Sequence, residues 1–496
     1  MGRPDPTTLG RRDSWSGVRA VVAGFGTSGA AAADNLLFLG AGVHVLTESV
    51  APKLQSRAEL LESLGVVLEV RSGATDALPG DVDLLVVSPG FPPTSALVLQ
   101  ARERGVPVWG EVELAWRLRD PDDAAPWLCV TGTNGKTTTV EMLDTILRTA
   151  GLRSVAAGNV GLPITEAVMD PEPYDVIAVE LSSFQLHYTD SMAAESAAVL
   201  NVAEDHVDWH GSMDAYAADK GRIYERVSRA CVYNVADPRT EQLVRDADVV
   251  EGARAIGFTL GMPGPGMLGV VEDILVDRAF VENRQSSAAE LCTIADLASS
   301  APHYIANALA AAALARAHGI SQAAVRDGLR AFRPGAHRIA VVAEHDGITW
   351  VDDSKATNPH AAASSLAAFE PVVWVAGGLA KGATFDDLVQ QVGGRLRAAV
   401  LIGRDRGLIA DALSRHAPDV PVIEVDSGED GAVVGDRSTE ISIGLMRRVV
   451  AAAAGIAQPG DTVLLAPGCA SMDQFTDYAA RGDAFAAAVR EAIAGS

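Results

Sequence analysis

The chain contains, at residues 127–139, the sequence WLCVTGTNGKTTT. Residues 128–131 are apolar or β-branched, which predicts a buried strand. The next part, GTNGKTT at 132–138, predicts a phosphate loop that opens a helix. Glycines in such a loop let backbone N–H groups converge on phosphate oxygens, while Lys136 adds a full positive charge. Thr137 then offers a hydroxyl group to Mg²⁺.

This loop is shorter than the Walker pattern. The strict eight-residue pattern would need glycine at position 130, where the chain has Val130. The alternative interpretation is a glycine-rich turn beside a surface lysine. Because an apolar run precedes the turn and a helical pattern follows it, the phosphate loop is the favoured interpretation.

Length and charge limit the classes of protein to which the chain can belong. With 496 residues it is too long for one core, which predicts two to four domains. Apolar residues make up 48% of the chain and aromatic residues 5%, a balance that fits an α/β protein. The formal charge of −24 argues against a nucleic-acid or acidic-membrane binder. Anionic substrates would therefore be held by a few local cations.

Cysteine usage and hydropathy predict a cellular location. The four cysteines are scattered and form no CxxC pair, so neither a disulfide framework nor a zinc site is indicated. Residues 1–17 lack the apolar core of a signal peptide, and no apolar run approaches membrane-spanning length. These features predict a cytoplasmic protein without membrane insertion.

Apolar runs of strand length alternate with helical patterns, which predicts parallel α/β layers in three blocks. Residues 1–122 predict an N-terminal Rossmann-like domain with five strands. Residues 123–335 predict a central P-loop ATPase-like domain with a mostly parallel sheet, and residues 336–496 a C-terminal Rossmann-like domain. The polar stretch 427–440 is predicted to be a loop, while 261–290 shows no assignable pattern.

Polar clusters follow the predicted strands, and ligands of open parallel sheets bind at that carboxyl edge. The first cluster is Gly24-Phe25-Gly26-Thr27-Ser28-Gly29, a GxGxxG turn that suits a diphosphate at a helix N-terminus. Glu48 lies at the end of the next predicted strand, where a ribose-binding carboxylate would lie. Taken without the other motifs, the turn and Glu48 would indicate NAD. A tight turn without a ligand is the remaining interpretation.

Three further residues belong to the central block. Glu180 ends a predicted strand, where a carboxylate facing a phosphate loop can hold Mg²⁺, although a lone glutamate is more often a helix cap. His206 also follows a strand, and spacing alone leaves a structural and a functional role equally open. Lys220 begins a helical stretch and would by default be a solvated cation.

The third block has its own clusters. Arg338 follows the hinge at Pro334-Gly335 and could contact nucleotide phosphates or simply lie on the surface. Asp353 directly follows a strand, and its carboxylate could accept a hydrogen bond from a ribose. Cationic and hydroxyl groups on the same edge fit the capture of a carboxylate, namely Lys355, Thr357, Lys381 and Ser471.

Taken together, these motifs resemble the Mur ligases, ATP-dependent amide-forming enzymes of peptidoglycan synthesis. The resemblance rests on GTNGKTT at 132–138, Glu180, NVAEDHVDWH at 201–210, HR at 337–338 and DDSKATNP at 352–359. It covers about residues 20–490. Within the family, four segments resemble the member that adds D-glutamate, namely SPG at 88–90, GNVGLP at 158–163, DDSKATN at 352–358 and GCASMDQF at 468–475.

The resemblance implies a reaction and its small-molecule partners. It implies that ATP activates UDP-N-acetylmuramoyl-L-alanine as an acyl phosphate, which the amine of D-glutamate then attacks. The first block would bind the UDP sugar, the central block ATP, and the third the amino acid. The enzyme would act as a monomer with two Mg²⁺ ions, one of them bound through a carbamylated Lys220, and without nucleic acid.

The resemblance also implies a role for each matched residue. Catalysis would involve Lys136, His206 and Lys220, and the metal ligands would be Thr137, Glu180, His206 and carbamylated Lys220. ATP would contact Gly132, Thr133, Asn134, Gly135, Lys136, Thr137, Thr138, Asn307, Arg338 and Asp353. The other substrates would contact Ser28, Thr47, Gly90, Asn159, Ser182, Thr357, Lys381, Ser471, Met472 and Tyr478.

The chain departs from the family pattern at three places. The HNxxN pattern becomes His303-Tyr304-Ile305-Ala306-Asn307, so only its last asparagine is present. Tyr478 replaces an expected phenylalanine, and Thr47-Glu48 replaces an Asp-Thr pair in the uracil-binding region.

Rival functions follow from single motifs. Another Mur ligase or a folylpolyglutamate synthase would share the ATP chemistry. A dehydrogenase would explain the glycine turn at 24–29 but not Lys136 or Glu180. A nucleotide-binding module without catalysis would bind ATP and release no phosphate.

Overall fold

The computed structural model describes residues 4–120, 122–426 and 437–494. The chain divides into two compact units, one formed by Met1–Leu297 and Ala306–Phe332, the other by Ala298–Ile305 and Arg333–Ser496. Three sheets are present in the described residues, with five, nine and six strands. The predicted α/β class with mostly parallel sheets is confirmed, whereas the domain boundaries at 122 and 335 stay a prediction.

The five-stranded sheet of the first unit is parallel throughout, in the order β3-β2-β1-β4-β5. Its strands are β1 (Arg19–Ala23), β2 (Gly42–Thr47), β3 (Val67–Val70), β4 (Leu84–Val87) and β5 (Val108–Gly110). The helices are α1 (Thr27–Phe38), α2 (Gln55–Ser63), α3 (Ala96–Glu103) and α4 (Glu111–Arg117). Strand β4 has the sequence LLVV and is wholly buried, as expected for a parallel strand covered on both faces.

The nine-stranded sheet carries the phosphate loop. Its order is β14-β13-β12-β11-β10-β9-β6-β8-β7, parallel from β7 to β12. Its strands are β6 (Trp127–Thr131), β7 (Ser154–Gly158), β8 (Val176–Glu180), β9 (Ser196–Val199), β10 (Ala230–Asn234), β11 (Arg254–Phe258), β12 (Met267–Val271), β13 (Ile274–Asp277) and β14 (Ala289–Thr293).

The helices that accompany this sheet follow the same alternation. They are α5 (Lys136–Thr149), α6 (Ile164–Met169), α7 (Ser183–His187), α8 (Val207–His210), α9 (Met213–Gly221), α10 (Pro238–Asp246), α11 (Pro302–His318) and α12 (Gln322–Ala331). The stretch 261–290, which has no assignable sequence pattern, contains β12 and β13. Strand β13 pairs with both β12 and β14 in an antiparallel arrangement.

The six-stranded sheet belongs to the second unit, in the order β15-β16-β20-β17-β18-β19. Its strands are β15 (Ala340–His345), β16 (Ile348–Asp352), β17 (Val372–Gly377), β18 (Leu396–Ile402), β19 (Val422–Glu424) and β20 (Thr462–Leu465). Strand β15 pairs with β16 in an antiparallel arrangement, and the other pairs described in this sheet are parallel. The helices are α13 (Pro359–Leu366), α14 (Asp386–Val392), α15 (Arg406–His416), α16 (Arg437–Ala454) and α17 (Tyr478–Ala494).

Two expectations about chain segments can be compared with these elements. Most of the predicted loop at 427–440 lies outside the described residues, but 437–440 belong to α16, so the loop prediction is wrong there. Among the residues that the structure describes, no helix is both long enough and apolar enough to cross a membrane.

A buried carboxylate joins the first sheet to the second inside the first unit. Glu113, on α4, is fully buried and accepts hydrogen bonds from the backbone N–H groups of Asp190 (2.8 Å) and Ser191 (2.9 Å). It also accepts from the Ser191 hydroxyl and from Nε of Arg117, both at 2.7 Å. Burial alone would raise the pKa of Glu113, but these bonds outweigh it, so the pKa is lowered.

We expect Glu113→Gln to destabilise the first unit by about 2–4 kcal/mol at pH 7, because an amide cannot accept all of these bonds. The native pKa of Glu113 is lowered, so its stabilisation is complete above the unfolded-state pKa of about 4.3 and is lost as the pH falls through the native value. Urea unfolding at several pH values measures the effect. The exposed Glu62→Gln is the control, and equal stability of the two variants at pH 7 would contradict the assignment.

Candidate active site

The phosphate loop lies between β6 and α5 as predicted, and its glycines are required by geometry. Gly135 has φ +83°, and a Cβ added there would lie 2.4 Å from Oδ1 of Asn307. Gly132 has φ +156°, and its Cβ would lie 3.0 Å from Cβ of Leu200. Asn307, predicted to contact the nucleotide, is therefore adjacent to this loop. Thr137 is buried and Thr138 half-buried in the first turn of α5.

An asparagine from the neighbouring strand β9 holds the loop in shape. Asn201 follows β9, which pairs with β6 in parallel. Its Oδ1 accepts from the backbone N–H of Asn134 (2.8 Å), and its Nδ2 donates to the Asn134 carbonyl (3.1 Å). Its own carbonyl accepts from the N–H of Thr133 at 3.0 Å. These three hydrogen bonds to Asn201 preorganise the loop.

Two lysines donate to one carbonyl oxygen of the loop. Nζ of Lys136 lies 2.8 Å from the Gly132 oxygen and 3.0 Å from the Thr133 oxygen. Nζ of Lys220, from α9, lies 3.0 Å from the same Gly132 oxygen and 4.4 Å from the centre of the Tyr216 ring. Lys220 is only 2% exposed. Burial, reinforced by the charge of Lys136, places the pKa of Lys220 well below its ordinary value.

Glu180 lies at the same sheet edge, because Val130 of β6 is in register with it. Its side chain is buried, and Oε1 accepts a 2.9 Å hydrogen bond from Nδ2 of Asn159. Oε2 is also buried but has no hydrogen-bond partner among the described residues. A buried carboxylate oxygen in that condition is suited to a metal ion.

His206 precedes α8 with a left-handed backbone, φ +53°. Its ring centroid lies 4.7 Å from that of Phe184, and its Nε2 lies 3.5 Å from a carboxylate oxygen of Asp205. Burial lowers the pKa of His206, and the charges of Lys220 and Lys136 lower it further. The carboxylate of Asp205 acts in the opposite direction. A neutral imidazole has a free lone pair and can bind a metal ion.

No group of three or more His, Cys, Asp or Glu side chains in the described residues is arranged to hold a metal ion. Glu180 and His206 therefore do not form a complete protein cage. Mg²⁺ is commonly bound by one or two carboxylates together with phosphate oxygens and waters, so these side chains suit Mg²⁺ that arrives with a nucleotide.

The glycine turn at 24–29 follows β1, and the neighbouring segment 88–91 follows β4 of the five-stranded sheet. A Cβ added to Gly24 would lie 2.9 Å from the Ser88 hydroxyl and 3.2 Å from the Phe91 ring. This contact brings the predicted substrate residues Ser28 and Gly90 onto neighbouring segments. The hydroxyl of Thr47 donates locally to the Ser49 carbonyl at 2.9 Å.

Ser182 has a structural role in addition to the predicted one. Its hydroxyl accepts from the N–H of Gln185 at 3.2 Å, while Oε1 of Gln185 accepts from the N–H of Ser182 at 2.9 Å. This pair is a capping box at the start of α7. Its role in substrate binding stays a prediction.

In the second unit, Asp353 follows β16 and is buried. The N–H of Ile339 donates to Oδ1 at 3.2 Å, and the Ser365 hydroxyl donates to Oδ2. Burial raises the pKa of Asp353 to about 7. Arg338 adjoins β15, and its charge opposes this rise.

Backbone hydrogen bonds connect three loops of the second unit that carry the predicted amino-acid-binding residues. The N–H of Gly468 donates to the Ala356 carbonyl at 2.9 Å, next to Thr357. Leu379 and Ala470 exchange two bonds of 2.9 Å, which brings the loop of Lys381 beside the loop of Ser471 and Met472. Tyr478 begins α17, and Nζ of Lys355 lies 4.1 Å from its ring centre.

Comparison with known proteins identifies the family. Residues 130–315 match the Mur ligase middle domain, and residues 337–469 match the Mur ligase glutamate ligase domain. A UDP-N-acetylmuramoylalanine–D-glutamate ligase from Streptomyces coelicolor is 60% identical over 479 residues, which cover 96% of this chain and 98% of that protein. This chain belongs to the Mur ligase family.

Solved structures of Mur ligases share the fold. The UDP-N-acetylmuramate-alanine ligase of Thermotoga maritima has a TM-score of 0.57 at 19% identity and covers 96% of this chain and 99% of its own. The MurF ligase of the same organism, solved with ADP, has a TM-score of 0.52 at 17% identity, with 96% coverage of both chains. These likenesses confirm the multi-domain α/β architecture.

Two residues that orient the site of this Mur ligase were missed by sequence reasoning. Asn201 had a detectable signal, since it follows a predicted strand, but nothing showed that this strand neighbours β6. Arg481 had no signal, since it lies inside a helix. It is 1% exposed and donates to the Ser354 carbonyl (2.8 Å), the Ser354 hydroxyl (2.9 Å) and the Cys469 carbonyl (3.1 Å).

We expect Gly135→Ala to weaken ATP binding about 10-fold or more, because the left-handed backbone is strained and the new Cβ displaces Asn307. Gly151→Ala is the matched control, since its φ is +88° and no atom lies within 4 Å of the added Cβ. Titration calorimetry with a non-hydrolysable ATP analogue measures both variants. An unchanged affinity in Gly135→Ala would show that the loop does not hold the nucleotide.

Proposed function

We propose that this protein is an ATP-dependent ligase that joins D-glutamate to UDP-N-acetylmuramoyl-L-alanine in the synthesis of peptidoglycan precursors. The observation that carries the proposal is the 60% identity, over 96% of the chain, to a relative named for this reaction. Another Mur-type or folylpolyglutamate-type ligase is the alternative, and it differs in the acceptor or the amino acid rather than in the ATP chemistry.

The reaction needs activation of a carboxylate, because its charge is delocalised and oxide is a very poor leaving group. The γ-phosphoryl group of ATP is transferred to the L-alanine carboxylate, which forms an acyl phosphate and ADP. The amine of D-glutamate attacks the acyl carbon, an amide bond forms, and phosphate leaves. With ATP bound, Lys136 and its loop would stabilise the charge on the transferred group, so positioning and electrostatics would supply much of the catalysis.

The residues present fit Mg²⁺. The buried, unpartnered Oε2 of Glu180, the neutral imidazole of His206, the hydroxyl of Thr137 and a modified Lys220 would hold two ions together with phosphate oxygens. When bound, Mg²⁺ neutralises charge on the phosphoryl group.

Unmodified Lys220 is a poor ligand for Mg²⁺, because an ammonium group has no lone pair and Mg²⁺ prefers oxygen ligands to an amine nitrogen. A neutral amine attacks CO₂, a nitrogen–carbon bond forms, and one proton leaves, which turns the side chain into a carbamate. Two features support this modification. Lys220 is almost fully buried with a strongly lowered pKa, and it shares the Gly132 oxygen with Lys136.

The remaining assignments follow the family motifs. Nucleotide contacts are assigned to Gly132, Thr133, Asn134, Gly135, Thr138, Asn307, Arg338 and Asp353. D-Glutamate contacts are assigned to Thr357, Lys381, Ser471, Met472 and Tyr478. The UDP sugar is assigned to Ser28, Thr47, Gly90, Asn159 and Ser182. Cytoplasmic location, a monomeric state and the absence of nucleic-acid partners belong to the same proposal.

The decisive experiment is an ADP-release assay with ATP, Mg²⁺, UDP-N-acetylmuramoyl-L-alanine and one amino acid at a time. We expect stoichiometric ADP release and amide formation with D-glutamate, and little with L-alanine, lysine or L-glutamate. Hydroxylamine should trap the acyl phosphate as a hydroxamate. A preference for lysine or L-glutamate would favour the alternative ligases, and ATP binding without substrate-dependent phosphate release would overturn the enzyme assignment.

We expect Lys220→Ala to be inactive and to regain part of its activity with small carboxylic acids such as acetate, which can take the place of the carbamate. Steady-state rates over an acetate titration measure this rescue. Lys53→Ala, which removes a surface lysine, should keep normal activity and show no response to acetate. Failure of every carboxylic acid to restore Lys220→Ala would leave Lys220 as an ordinary amine.

A further inference from the structure

Tyr188 connects the two sheets of the first unit. It directly follows α7, so it belongs to the chain of the nine-stranded sheet. Its side chain is only 4% exposed and lies in an apolar cluster of the five-stranded sheet that includes Val21, Leu85 and Val87. The side chain of Tyr188 thus packs in the core of the five-stranded sheet, although its backbone follows a helix that accompanies the nine-stranded sheet.

The phenol group of Tyr188 reaches the segment assigned to the UDP sugar. Its hydroxyl donates a 2.9 Å hydrogen bond to the carbonyl oxygen of Phe91, the residue after Gly90. Burial raises the pKa of Tyr188 to about 12, so the hydroxyl stays protonated and remains a donor. Phe91 and Ser88 are in turn packed against Gly24 of the glycine turn.

The residue before Tyr188 contacts α9, the helix that carries Lys220. His187 precedes Tyr188, and its Nδ1 lies 3.0 Å from both carboxylate oxygens of Asp219. Asp219 is adjacent to Lys220 on α9. The backbone carbonyl of Tyr188 also accepts from the N–H of Gly110, at 3.2 Å, where β5 ends.

We propose that Tyr188 is a positioning residue for the UDP-sugar substrate, which it serves by holding the segment 88–91 through the Phe91 carbonyl. This inference rests on the proposed function, since that function assigns Gly90 to the substrate. A residue that only filled the core would support the fold and affect all ligands alike. A residue that positions one segment affects the ligand of that segment alone.

The variant Tyr188→Phe tests this role because it removes one hydroxyl and keeps the ring in the core. We expect the Kd and KM for UDP-N-acetylmuramoyl-L-alanine to rise about 2- to 10-fold, as for the loss of one hydrogen bond, while kcat and the Kd of an ATP analogue stay unchanged. Titration calorimetry and steady-state kinetics on the full-length protein measure these values.

Tyr224→Phe is the matched control. Tyr224 is also fully buried, and its hydroxyl donates to the Val232 carbonyl at 2.5 Å inside the nine-stranded sheet, away from the segment 88–91. It should lose thermal stability without any change in UDP-sugar affinity.

The outcomes separate this inference from the function on which it rests. If the unaltered protein binds no UDP sugar, the proposed function fails. If it binds the UDP sugar and Tyr188→Phe binds it equally well, only the positioning role fails. A parallel loss of affinity for the UDP sugar and the ATP analogue would assign Tyr188 a purely structural role and would also overturn the inference.

Discussion

The site depends on the way in which two amines share the carbonyl oxygen of Gly132. Lys136 and Lys220 both donate to it, and Lys220 is almost wholly removed from water. Burial lowers the pKa of Lys220, and repulsion by the nearby charge of Lys136 adds to this effect. A second full positive charge at Lys220 is therefore disfavoured beside Lys136.

The charged groups around the phosphate loop are placed by the order of the strands. The chain has 40 Lys and Arg residues against 64 Asp and Glu residues, so positive charge for anionic ligands must be concentrated locally. Val130 in β6 is in register with Glu180 in β8, which puts an unpartnered carboxylate oxygen at the edge where the phosphate loop begins. Asn201 fixes the shape of this loop through hydrogen bonds to the backbone of Thr133 and Asn134. The candidate metal ligand and the phosphate loop therefore lie at one sheet edge.

In the second unit, hydrogen bonds between loops align the candidate residues. Thr357, Lys381 and Ser471 lie on three loops, which backbone hydrogen bonds of 2.9 Å connect. Arg481 connects two of these loops, because its guanidinium donates to the carbonyl groups of Ser354 and Cys469. Burying an arginine is costly, and burial lowers the pKa of Arg481 to about 10. Its hydrogen bonds to the loops offset that penalty.

The sequence alone determined the α/β class, the phosphate loop and the positions of Glu180, Asp353 and Lys381 after strands, since periodicity and glycine spacing are local signals. It did not reveal the antiparallel strands within 261–290, because short strands at a sheet edge carry weak alternation. The tertiary structure alone decided the roles of Asn201, Arg481 and Tyr188. Their partners lie far away along the chain, and only the order of strands in the folded sheets brings each donor to its acceptor.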